Sequence, residues 1–190
     1  MKFKNIFLGF CFIAALVSCG KSGENAKTAS EKPINPTPLG LEIHYANING
    51  VKEKYANVHF DKSSEIDQYT GGIVLTAEGA GFNIDGLKIT NFTFSKEGVL
   101  EHVGLLLNKN VVAMDQNLSS KYEVTSKKIN TFMGFGNAEY VHGDTIIKLL
   151  SEHLSSDMYV KYTYKPLNDQ IMKDIEEKKN RAVTEQKSKF

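Results

Sequence analysis

Residues 87–107 read LKITNFTFSKEGVLEHVGLLL. Two runs of apolar, β-branched and aromatic residues flank Lys96-Glu97-Gly98. The glycine supplies the left-handed backbone that a short hairpin loop needs. Residues 87–94 and 99–107 are therefore expected to pair as antiparallel strands. The apolar parity of the first run switches between Ile89 and Phe92, which predicts a bulge there.

The same vocabulary continues on both sides. Upstream, 41–43 reads as a short strand and 72–77 as a longer one, with 58–60 as a third candidate. A polar loop fills 61–68, and Gly79, Gly81 and Asp85-Gly86 mark turns. Asn47 or Asn49 can cap a short helix carrying Ile48, Val51 and Tyr55. Downstream, Asn108 or Asn110 can cap a second helix with Val111, Met114, Leu118 and Tyr122 on one face. A strand at 123–129 follows, then a loop at 132–136. A hairpin across His142-Gly143-Asp144 joins 138–141 to 145–150. Residues 157–164 alternate, with Met158, Val160, Tyr162 and Tyr164 on one side. After Pro166 an apolar stripe (Ile171, Met172, Ile175) and ordered i,i+4 charge pairs (Asp169 with Lys173, Asp174 with Lys178, Glu177 with Arg181) predict a charged helix.

The fold class is therefore α+β: an antiparallel sheet or sheets with short helices packed on one face. Two halves look alike, each a helix ending near a tyrosine (Tyr55, Tyr122), then strands whose last is aromatic (Phe92 and Phe94; Tyr162 and Tyr164), offset by about 67–71 residues. The expected organisation is a first α+β lobe at 39–109, a second at 110–166 and a C-terminal charged helix at 167–190. This helix-then-strands unit, opened by Pro38-Leu39-Gly40-Leu41-Glu42-Ile43, is similar to the SmpA/OmlA family of outer-membrane-assembly lipoproteins and to the tandem-repeat β-lactamase inhibitor proteins. No functional residue follows from that likeness.

Location is written at the N-terminus. Lys2 and Lys4 precede an uncharged apolar run at 6–17, followed by Leu16-Val17-Ser18-Cys19-Gly20. The run has the length of a signal-peptide core and is too short to span a bilayer. The segment resembles the lipobox of bacterial lipoproteins. The resemblance implies cleavage of residues 1–18, a diacylglyceryl thioether on Cys19 and acylation of its amine, with Gly20 in place of aspartate pointing to the outer membrane. Two or more acyl chains anchor a protein stably where one does not. Cys11 leaves with the signal, so with Cys19 lipidated no thiol remains for disulfides, nucleophilic catalysis or zinc. Residues 19–38 hold the lipidated cysteine and a small, polar stretch with three of the chain's four prolines, which reads as a tether.

Of the 190 residues, 23 are basic and 22 acidic, a net charge of +1. That balance lacks the footprint of a nucleic-acid binder. His44, His59, His102, His142 and His153 show no metal-binding spacing. Glu101-His102 and Glu152-His153 are adjacent pairs whose side chains diverge on a strand, and they read as exposed polar positions. There is no Gly-x-Ser-x-Gly elbow, and Gly134-Phe135-Gly136 lacks the remainder of a dinucleotide site. Asp61, Ser63, Glu65 and Asp67 alternate oxygen ligands, but Ile66 and Gly72 stand where an EF-type loop needs Gly and Glu. No catalytic residue, metal or cofactor is expected. Phe132, Met133 and Phe135, in a loop, are the candidate protein-binding residues.

The function expected is a lipid-anchored, non-enzymatic protein-binding or envelope-assembly module, with its folded part in the periplasm. Its partners would be the membrane, through the acyl chains on Cys19, and an envelope protein, with no nucleic acid. Two alternatives stand beside it: an inhibitor or immunity protein against an envelope-active enzyme or toxin, and an envelope hydrolase using two carboxylates ~5–9.5 Å apart.

Overall fold

The computed structural model describes residues 33–63 and 66–187. The leader, Cys19 and residues up to 32 of the expected tether lie outside them, while the end of that stretch is packed rather than free: Asn35, Pro36 and Pro38 are buried, and Asn35 bonds to Ile43 and Asp144. Eight strands form one antiparallel sheet: β1 (Asp61–Lys62), β2 (Gly71–Glu78), β3 (Leu87–Ser95), β4 (Leu100–Asn108), β5 (Glu123–Asn130), β6 (Phe135–His142), β7 (Thr145–Ser151) and β8 (Asp157–Tyr164). Their order across the sheet is β1-β2-β3-β4-β8-β7-β6-β5. Helices α1 (Ile48–Lys54), α2 (Val111–Ser119) and α3 (Lys165–Lys187) complete it.

Directly paired residues of antiparallel strands share a face. Register therefore assembles one inner row from Leu75, Phe92, Val103, Tyr162, Ile147 and Tyr140. The next inner row holds Ala77, Thr90, Leu105, Val160, Leu149 and Ala138. All twelve side chains are buried, and each large apolar one contributes about 1.5–3 kcal/mol by leaving water.

The two short helices cover this inner face. Asn47 caps α1 by accepting from Gly50 N, and Asn110 caps α2 by accepting from Ala113 N. Tyr55, just past α1, packs on Phe82 at 4.7 Å, and Phe82 on Phe92 at 6.1 Å. On α2 the buried face is Val111, Asp115 and Leu118. Asp115 accepts from Tyr140 Oη at 2.7 Å and from Lys127 Nζ at 2.5 Å, tying the helix to β6 and β5. Burial alone would raise its carboxyl, but the hydrogen bonds from Lys127 and Tyr140 outweigh that and hold it below its ordinary value.

α3 takes the opposite face. It begins at Lys165, with Pro166 in the first turn, where its missing N–H costs nothing. Asn168 Oδ1 accepts from Lys148 on β7 at 2.9 Å, and Asp174 accepts from Tyr69 Oη at 3.0 Å. The expected Asp174–Lys178 and Glu177–Arg181 pairs form at 2.8 and 3.4 Å.

Four local expectations are corrected. Residues 41–43 are not a strand: Ile43 N donates to Pro36 O and its carbonyl accepts from Asn35 Nδ2, so a strap consumes the groups a sheet would need. Residues 58–60 do not pair either, and β1 is only Asp61–Lys62. No bulge falls between Ile89 and Phe92. That stretch alternates regularly, and the irregularities lie at Leu87/Ile89 and Thr93/Phe94. Finally, Phe135 and Gly136 belong to β6 rather than to the loop. Gly136 has φ +134°, and a Cβ there would meet Lys128 O at 2.1 Å, so close approach of β5 demands glycine.

Because Asp115 is buried while Lys127 is half exposed, Asp115→Ala is expected to cost about 2 kcal/mol, leaving the Tyr140 hydroxyl unpaired in the core. Tyr140→Phe should cost roughly half as much, since the carboxylate keeps Lys127. Urea unfolding of the two variants measures both.

Candidate functional site

The β5–β6 hairpin ends in a turn that carries two of the candidates. Asn130 Oδ1 accepts from Phe132 N at 3.1 Å and Met133 N at 2.9 Å, and Asn130 O accepts from Gly134 N at 2.8 Å. The turn is thus locked by its own first residue. Gly134 has φ +63°, the left-handed geometry that closes it. Phe132 is 94% exposed and Met133 54%.

Phe135 points elsewhere. It is half-buried, and its ring meets His153 edge to face at 4.8 Å. This contact joins the hairpin to the β7–β8 loop, whose Leu154 is 93% exposed. That loop is held from below by one ammonium: Lys109 Nζ donates to the carbonyls of Glu152, His153 and Ser155 at 2.8, 3.4 and 3.2 Å. Phe132, Met133 and Leu154 therefore stand at one end of the sheet, the first two on a turn bonded by Asn130 and the third on a loop held by Lys109, with Phe135 as the brace between them. Leu154 was not singled out in the sequence, where it is one apolar residue among Glu152, His153, Ser155 and Ser156. The only clue there is a leucine with no apolar neighbour in a polar loop.

The opposite end of the sheet carries the N-terminal strap, on which Ile34 and Tyr45 are exposed. Ile34 and Asn35 lie against the Gly143-Asp144 turn, with Asn35 Oδ1 accepting from Asp144 N at 2.8 Å. His44 adopts φ +67°, unusual for a residue with a Cβ. Its ring stacks flat on Tyr164 at 3.8 Å, and its Nδ1 lies 3.0 Å from Glu101 Oε1. Glu101, read as an exposed position, is in fact 7% exposed. The register shift between Thr93 and Phe94 makes Glu101 the extra residue of β4, and its second oxygen has no partner among the described residues.

His102 diverges from Glu101 as the strand geometry requires and lies on the other face, 2.8 Å from Thr163 Oγ1. Loss of solvent around the ring, aided by the field of Lys161, pushes it down to about 4. His142 approaches Tyr122 at 5.6 Å, and His59 and His153 are exposed. Asp67, in the loop of alternating oxygens, spends one oxygen on Tyr69 N and Thr70 N at 3.0 and 2.9 Å. Among the described residues no three His, Cys, Asp or Glu side chains converge as metal ligands would. Cys19 lies outside the described residues. No helix of the described chain is long and apolar enough to cross a membrane.

Comparison with family models, with curated proteins and with solved structures gives no match.

His102 yields a pH signature. The unfolded histidine titrates near 6.5 and the folded one near 4. Between these values the unfolded chain binds a proton that the folded chain refuses, so stability is complete above about pH 6.5 and falls as pH drops toward 4. Urea midpoints at pH 7, 5.5 and 4.5 should therefore converge for His102→Gln relative to the parent. Parallel pH profiles would remove His102 as the cause.

Proposed function

We propose that this chain is a lipid-anchored lipoprotein of the bacterial outer membrane that acts as a non-enzymatic binding module for another envelope protein. The anchor rests on the lipobox and Cys19. The binding role rests on a single observation: Phe132, Met133 and Leu154 are exposed on adjoining turns that the Phe135–His153 contact joins. Apolar side chains scattered singly over a surface carry no meaning, but a group of them on a rigid end is how interface anchors look.

The described chain begins at Pro33, and Ile34 touches Gly143 at the far end of β6 from Phe132. Eight strand residues separate the two ends, ~26 Å at the usual rise.

We read the element order as two tandem units, α1 with β1–β4 and α2 with β5–β8. The support is that each unit opens with an asparagine-capped helix over the inner face, and that the last strands of the two, β4 and β8, meet antiparallel at the centre of the sheet. Each unit has four strands, but Phe92 and Phe94 lie on β3, the third strand of the first unit, rather than on its last as expected.

Crosslinking followed by pull-down from intact envelopes tests the proposal. The parent should recover a stoichiometric partner, and the triple variant Phe132→Ser, Met133→Ser, Leu154→Ser should lose it while unfolding within about 0.5 kcal/mol of the parent. Cys19→Ala should lose the partner too if anchoring brings the two together. Equal recovery by the triple variant would overturn the assignment of this end.

A further inference from the structure

The outer face of the sheet is only partly covered. α3 lies on the side of Ile146 and Thr163, which are buried, whereas the row Ile89, Leu106, Tyr159 and Leu150 stays open, with Ile89 39% and Tyr159 46% exposed. Beside this row is a cleft of about 590 Å³, within the range of small-ligand sites. Its walls include Asn137, Leu150, Tyr159 and Lys161, and the β7–β8 loop closes one side.

The charge arrangement there is unusual. Lys148 and Lys161 are direct cross-strand partners, a placement in which like charges repel. Lys148 is compensated, by Asn168 at 2.9 Å and Glu139 at 3.8 Å. Lys161 has no carboxylate within ion-pair distance among the described residues. Its Nζ lies 5.8 Å from the Tyr159 ring centroid, and the side chain is half-buried. An aromatic face offers such a cation part of what an anion would.

We propose that this cleft binds a small carboxylate carried on an apolar body, with the carboxylate on Lys161 and the body against Tyr159 and Leu150. Two carboxylates share the lining with Lys161. Asp157 is engaged by Lys88 at 2.5 Å and by Ser156, and Glu152 is exposed on the loop. One ammonium suits a monoanion. The bidentate fork that favours phosphate is missing, since the chain's single arginine, Arg181, pairs with Glu177 on α3. The site does not depend on the protein partner proposed above.

The test uses the full-length protein in mild detergent, titrated with 4-phenylbutyrate and separately with 4-phenylbutyramide, which has the same body without the charge. Amide chemical shifts are followed throughout. The acid should perturb Asn137, Leu150 and Tyr159 and bind at least about tenfold tighter than the amide, the usual weight of one charge-assisted hydrogen bond. Lys161→Met should erase that preference and, by removing repulsion from Lys148, raise the melting temperature. Equal binding of acid and amide, shifts outside the cleft only, or acid affinity unchanged in Lys161→Met would each overturn the proposal. So would a lowered melting temperature, because Lys161 would then be compensated in the free protein.

Discussion

Everything in this architecture depends on the pairing of β4 with β8. From His102 opposite Thr163 to Asn108 opposite Asp157 the register runs without a break. The inner rows cross this seam: Phe92 and Val103 on one side are continuous with Tyr162 and Ile147 on the other. Without the seam each half would be a four-stranded sheet with an unpaired central edge and an incomplete core. With it, the exposed edges move outward to β1 and β5. The strand β5 is exposed along nearly its whole length, and it carries two lysines. Charged side chains are a common guard against unwanted strand pairing, although Lys127 is turned inward to Asp115.

Much of the fold was legible where periodicity and turn chemistry agreed. The 87–107 hairpin announced itself by two strand-like runs and Gly98, which has φ +82°. β8 was legible because Met158, Val160 and Tyr162 alternate with exposed Tyr159. Misreadings arose where local pattern competed with long-range partners. Leu41 and Ile43 are both buried, as strand-like spacing suggests, yet the backbone of Ile43 bonds to Pro36 and Asn35, and nothing local signals that. Asp115 sits on the buried stripe of α2 although its residue type marks it as solvent-facing. Its burial depends on Tyr140 and Lys127, which lie on other elements.

The candidate site was legible to a smaller extent. Phe132 and Met133 stand out in sequence because two large apolar residues precede a Gly-Phe-Gly stretch, and turns rarely waste such side chains. Phe135 looked the same but lies in a strand, where alternation hands it to His153. Leu154 and Lys161 could not be found from sequence. One is defined by proximity to a hairpin distant along the chain, the other by which lysine it faces across β7 and β8. Register is a three-dimensional property, and a charge is compensated or not only once neighbours are known.

The lysine beneath the β7–β8 loop has a thermodynamic consequence. Freezing a loop at the moment of association costs free energy, about 0.5–1.5 kcal/mol for each mobile side chain and more for backbone. Lys109, by gathering three carbonyls, has already removed that freedom from the segment bearing Leu154. Asn130 does the same for the turn bearing Phe132. A surface ordered before encounter gives up little entropy on contact, so a modest apolar patch can bind more tightly than its area alone would suggest.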